Sequence, residues 1–200
     1  MNKLVIGLTG GIGAGKTTAA NGLAALGCGI VDADVLSRGV TGAGGAAEPA
    51  LRRLFPSVYV SGTLDRAALK RLVFSDPDKL KKLNAAVWPH IEALVPQRIA
   101  QNDKSVVILV APLLFESGLQ KYTHAVVTVS RPRAERINAV RIRDNINAEQ
   151  ADLIASAQLS DLAREALSDA VVTNDCSLDE FLQRVRAAYE DIIKKLGAGK

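Results

Sequence analysis

The stretch Leu4-Val5-Ile6-Gly7-Leu8-Thr9-Gly10-Gly11-Ile12-Gly13-Ala14-Gly15-Lys16-Thr17 decides the fold class of this chain. Leu4–Leu8 is a short apolar run with the character of a buried strand, and Thr18 to Leu26 continues as a helix. Between them, Gly10 to Thr17 fits the pattern G-x-x-x-x-G-K-[ST]. Strand, glycine loop and helix in that order give the pattern a mechanism. Glycines let successive N–H groups turn inward toward phosphate oxygens, and the helix N-terminus adds its positive end. Gly11, Gly13, Ala14, Gly15, Lys16, Thr17 and Thr18 are therefore the expected nucleotide-phosphate ligands. Lys16 would reach the β- and γ-phosphates, and the Thr17 hydroxyl would hold Mg²⁺.

Four further runs have the character of strands: Gly29–Val31, Val106–Ala111, Ala125–Val129 and Ala170–Thr173. None alternates polar with apolar residues, so burial on both faces is expected for each. Helical segments separate them, which predicts an α/β fold: a P-loop NTPase-type parallel five-stranded sheet flanked by helices, with right-handed crossovers. Two interruptions are too long for single crossovers. Residues 41–102 read as an inserted helical subdomain, with helix starts at Thr63 and at Asp76-Pro77 and a break or kink at Pro89. Residues 131–167 form a second interruption, rich in arginine, in which Asn147 to Gln150 resembles a capping box. The nucleotide-binding core is then 1–40 and 103–200. The last helix starts at Ser177, with Glu180 closing a capping box and Leu178, Leu182, Val185, Tyr189, Ile192 and Leu196 as its apolar stripe.

Composition narrows the class. An apolar fraction of 48% with only 4% aromatics gives an aliphatic core. The surplus of +4 suits polyanionic small molecules, and no Lys/Arg run is long enough to argue for nucleic acid. Cys28 and Cys176 are too few and too far apart for a disulfide framework. The longest apolar run, Val106 to Phe115, falls short of the ~20 residues of a membrane span. A cytoplasmic protein without a membrane partner is expected, its oligomeric state left open.

Asp32-Ala33-Asp34 follows the second strand, on the side of the sheet where ligands gather. A carboxylate there can accept a proton from an attacking hydroxyl; Asp34 is the expected base, while Asp32 serves chemistry or helix capping equally well. Arg131, Arg133, Arg136, Arg141 and Arg143 offer charge for phosphoryl oxygens. Arg136 and Arg143, seven residues apart, are expected to share a helix face. Pro112-Leu113-Leu114-Phe115-Glu116 follows the third strand, where Glu116 would meet Mg²⁺ or a substrate hydroxyl, or merely solvate a loop. No acidic residue ends that strand, so no Walker-B aspartate is apparent. His90 and His124 lack partners at metal-ligand spacing, and Trp88 reads as a packing anchor.

Taken together, Thr9 to Thr18, Val31 to Asp34, Thr63-Leu64-Asp65-Arg66, Pro112 to Glu116, Arg143-Asp144 and Asp169 to Asn174 resemble the dephospho-CoA kinase family nearly end to end. The resemblance implies transfer of the ATP γ-phosphate to the 3′-hydroxyl of the dephospho-CoA ribose, the last step of coenzyme A synthesis. It also implies Asp34 as base, Lys16, Arg136 and Arg143 on the transferred phosphate, and Asn174 near the adenine. Thr9, Asp34, Arg66, Leu113 and Glu116 would line the acceptor, the helical insertion would accept the CoA moiety, and residues 131–167 would close over ATP. Trp88-Pro89-His90 departs from the family's His-Pro, and Ala139 stands where an arginine is common. The competing readings are another small-molecule P-loop kinase, of nucleoside monophosphate or shikimate type, and a GTPase-like switch. The switch requires D-x-x-G and N-K-x-D, which do not occur.

Overall fold

The computed structural model of the protein describes residues 3–197. Two compact units divide the chain: Met1–Asp32 with Ile99–Lys200, and Ala33–Arg98.

The first unit is built on five parallel strands: β1 (Leu4–Thr9), β2 (Gly29–Asp32) and three that follow the second unit in sequence. Those three are Val106–Val110, Ala125–Ser130 and Ala170–Thr173, and they become β5, β6 and β7 because the second unit contributes β3 (Tyr59–Val60) and β4 (Thr63–Leu64). The sheet order is β2-β5-β1-β6-β7. Each strand matches its predicted run to within a residue. The three central strands are almost wholly buried, as the unbroken apolar runs require. The edge strands are not: β2 alternates buried with half-buried residues, and Val171 of β7 is exposed. Register aligns Asp32 with Val110, Val110 with Leu8, and Leu8 with Val127. The carboxyl ends of all strands therefore share one edge, and the glycine loop springs from its middle. His124 takes a structural place beside β1, its Nδ1 accepting the Val5 N–H at 3.0 Å.

Helices α1 (Lys16–Ala25) and α9 (Leu178–Gly197) supply much of the core on one face, where Leu23, Phe181, Val185 and Ile192 pack with Ile6, Ile108 and Val127. Of the expected α9 stripe, Val185 and Ile192 are buried and Tyr189 and Leu196 pack against the core, whereas Leu178 is exposed and Phe181, one turn later, is buried in addition. Between β6 and β7 run α6 (Arg133–Asp144), α7 (Ala148–Ser156) and α8 (Asp161–Ala166). The capping box at Asn147 and Gln150 is present.

The second unit holds α2 (Ala33–Thr41), α3 (Glu48–Leu54), α4 (Arg66–Phe74) and most of α5 (Pro77–Gln101). It is not purely helical. The β3–β4 hairpin turns through Ser61 and Gly62, both at positive φ, which suits a type I′ turn. Strand pairing takes Thr63 away from helix capping. Asp65 caps α4 instead, accepting from the Ala67 and Ala68 N–H groups at 2.9 Å. Asp76 caps α5 as expected, but Pro89 does not end it: the helix runs on through Pro89 and Pro96.

Candidate active site

Gly15 stands at the N-cap of α1 in the left-handed region (φ 107°), a conformation that side chains rarely adopt. This bend hands the chain from loop to helix, leaving the first-turn N–H groups of α1 at its positive end with no acidic residue in that turn. Ala14 is fully buried beneath the loop. Lys16 Nζ donates to the Gly10 and Gly11 carbonyls, at 2.8 and 3.0 Å. Thr17 is exposed in the first turn and Thr18 half-buried. Such an amide-lined bend, with a lysine folded across it, is built to bind phosphate.

Side chains remote in sequence hold this loop. Asn174, just past β7, donates to the Ala14 carbonyl at 2.8 Å, and its own N–H donates to the Ser130 carbonyl at 2.7 Å. In this structure Asn174 braces the loop. Gln158 accepts the Ile12 N–H at 2.8 Å. Arg136 lies against the loop from α6: a Cβ at Gly11 would collide with its guanidinium, and one at Gly13 would come within 2.7 Å of its carbonyl oxygen.

In this structure Arg136 is held against the loop by partners of its own. It is 2% exposed, ion-paired with Asp161, and donates from Nε to the Arg131 carbonyl at 3.0 Å. Burial lowers its pKa from the ordinary value, and the Asp161 charge opposes the shift. Asp161 also accepts from Arg164, itself 1% exposed, at 2.9 Å. One carboxylate thus serves two buried guanidinium groups behind the loop. Nor do Arg136 and Arg143 share an environment. Arg143 sits in the last turn of α6, past the stretch that packs on the loop; it is 59% exposed and pairs with Asp144.

The other predicted residues fall as follows. Thr9 is wholly buried at the end of β1, its hydroxyl without a hydrogen-bond partner. Leu113 is half-buried, and its carbonyl accepts from the Ser117 hydroxyl at 2.6 Å. Glu116 is drawn to the α7–α8 turn, where Oε1 accepts the Leu159 N–H at 2.8 Å. Asp32 ends β2 in the first unit, whereas Asp34 is exposed in the first turn of α2, which opens the second. Arg66 binds the far end of that helix, donating to Thr41 Oγ1 at 2.8 Å and to the Arg38 carbonyl at 3.0 Å. Gln158, Asp161 and Arg164 were missed by sequence reading. Only the Ser160 cap of α8 signals their neighbourhood, and it says nothing of their partners. No group of three or more His, Cys, Asp or Glu able to hold a metal occurs among the described residues.

The sequence model described as "Dephospho-CoA kinase" matches residues 4–180. The chain belongs to the dephospho-CoA kinase family. It is 37% identical over 190 residues to the dephospho-CoA kinase of Nitrosospira multiformis, covering 94% of this chain and 95% of that one. It is 38% identical to the dephospho-CoA kinase of Pseudoalteromonas translucida over 97% of this chain and 93% of that one. A crystal structure of a Thermus thermophilus protein superposes with a TM-score of 0.81 at 36% identity, covering 98% and 99% of the two chains. A shikimate kinase from Bacteroides thetaiotaomicron reaches a TM-score of 0.54 at 14% identity, a likeness of fold alone. The sequence's expected family and α/β fold are therefore both met.

Proposed function

We propose that the chain is an ATP-dependent dephospho-CoA kinase, placing phosphate on the ribose 3′-hydroxyl to yield coenzyme A and ADP. The observation that carries this reading is the braced glycine loop in a chain that belongs to this family along nearly its whole length.

In the reaction, the acceptor hydroxyl oxygen forms a bond to the γ-phosphorus. The bond from that phosphorus to the β–γ bridging oxygen breaks, and its electron pair leaves on ADP. The hydroxyl proton passes to the Asp34 carboxylate. Lys16 leaves its loop carbonyls for the β- and γ-phosphate oxygens, and the α1 amides hold the β-phosphate. Arg143, exposed at the end of α6, and Arg136, which also holds the loop, are the lid arginines assigned to the transferred group. The exposed Thr17 hydroxyl and the nucleotide's own oxygens suit Mg²⁺, which commonly takes few protein ligands and would neutralise charge on the phosphates. In this reading the helical insertion, residues 41–102, receives the CoA moiety, with Thr9, Asp34, Arg66, Leu113 and Glu116 on the acceptor's side. The site of action is the cytoplasm, consistent with two free cysteines and with no described helix long and apolar enough to cross a membrane.

The test is ADP release measured with dephospho-CoA, shikimate and nucleoside monophosphates as acceptors. Turnover with dephospho-CoA alone is expected. Turnover with one of the others in its place would overturn the assignment.

A further inference from the structure

Gln158 belongs to no motif read from the sequence. It sits in the turn between α7 and α8, and its carboxamide oxygen accepts the N–H of Ile12, midway along the glycine loop, at 2.8 Å. The turn itself is anchored on two sides. Glu116 accepts the Leu159 N–H at 2.8 Å, and Arg164 donates to the Leu159 carbonyl at 2.5 Å. Arg164 is in turn buried against Asp161, the carboxylate that also holds Arg136 against the loop. Gln158 therefore presents an acceptor whose position is fixed by its neighbours before any ligand arrives. A glycine-rich loop is costly to order, and a contact that orders it beforehand lowers the entropy lost when phosphate binds.

We propose that Gln158 is a positioning residue that presets the phosphate loop through the Ile12 amide, making nucleotide affinity depend on the α7–α8 turn. The proposal rests on the nucleotide-binding part of the reading above. A neutral side chain suits the place, because a carboxylate there would set negative charge beside the phosphates.

Gln158→Met keeps the length of the side chain and removes the acceptor. Losing one neutral hydrogen bond predicts a Kd for ADP and for ATP about 3–10-fold higher by titration calorimetry. The melting temperature should move little, and the Ile12 amide should exchange faster by NMR. Gln158→Glu restores an acceptor of the same reach, so the Ile12 amide should stay as protected as in the unaltered protein. Unchanged nucleotide Kd values in Gln158→Met would overturn the proposal. So would Ile12 exchange that is equally fast in the unaltered protein, or that is lost in Gln158→Glu, which decides the matter if Gln158→Met does not fold. Binding is read without acceptor. An unaltered protein that binds nucleotide but leaves dephospho-CoA untouched contradicts only the acceptor assignment, and one that binds neither ADP nor ATP contradicts both.

Discussion

Replacing Asp161 with alanine strips the counter-charge from two guanidinium groups that water scarcely reaches. Arg136 is 2% exposed and Arg164 is 1% exposed, and both depend on this carboxylate. Breaking a buried ion pair by deleting one partner costs about 3–5 kcal/mol, because the surviving charge stays desolvated. Here the carboxylate is 41% exposed, so water entering the vacated space recovers part of that, and about 2–3 kcal/mol is the better figure. For a chain of this size that lowers the melting temperature by about 4–12 °C. Differential scanning calorimetry should show the drop, while Asp152→Ala serves as control. Asp152 pairs with Arg133 at 2.6 Å, but both are about half exposed, and its loss should cost under about 0.5 kcal/mol. A melting point for Asp161→Ala no lower than that of Asp152→Ala would refute the argument that these arginines depend on Asp161.

Two further outcomes follow from the same packing. Gly11→Ala drives a Cβ into a guanidinium that Asp161 and the Arg131 carbonyl hold in place, so it should cost about 1–3 kcal/mol by denaturant melts and weaken nucleotide binding; stability equal to wild type would show that Arg136 gives way freely. Tyr189 is pushed up to about 12, chiefly by burial and then by its bond with Cys28, so the folded state favours the neutral phenol. Its contribution is fully present below the ordinary tyrosine value near 10 and is lost as pH climbs toward about 12; Tyr189→Phe should flatten the fall in melting temperature over that window, and identical slopes for both proteins would contradict it.

The parts of this molecule legible in sequence are those governed by local pattern. The apolar runs of β1, β5 and β6 have no polar alternation because helices cover both faces of the central sheet, and the glycine loop announces itself by residue type and spacing. The hairpin carries a local signal as well: Ser61-Gly62 between Tyr59-Val60 and Thr63-Leu64 is a two-residue turn, masked by the helical segments around it. Arg136 and Arg143 have the spacing of one helix face, yet the first is buried against the loop and the second is 59% exposed, because a shared face does not say how far along the helix the burial extends. The bracing of the loop was not legible. Asn174 reaches a carbonyl 160 positions away and Gln158 an amide 146 away, and tertiary geometry alone brings those groups together.

If amides at the start of α1 grip a triphosphate and Asp34 takes the proton of the incoming alcohol, replacing that carboxylate must slow transfer without loosening ATP. Single-turnover transfer from ATP to dephospho-CoA by Asp34→Asn, with ATP affinity measured on the same sample, reads both. Transfer should slow by about 10²-fold or more while the Kd for ATP stays nearly unchanged. A near-normal rate of transfer by the asparagine variant would show that Asp34 is not the base.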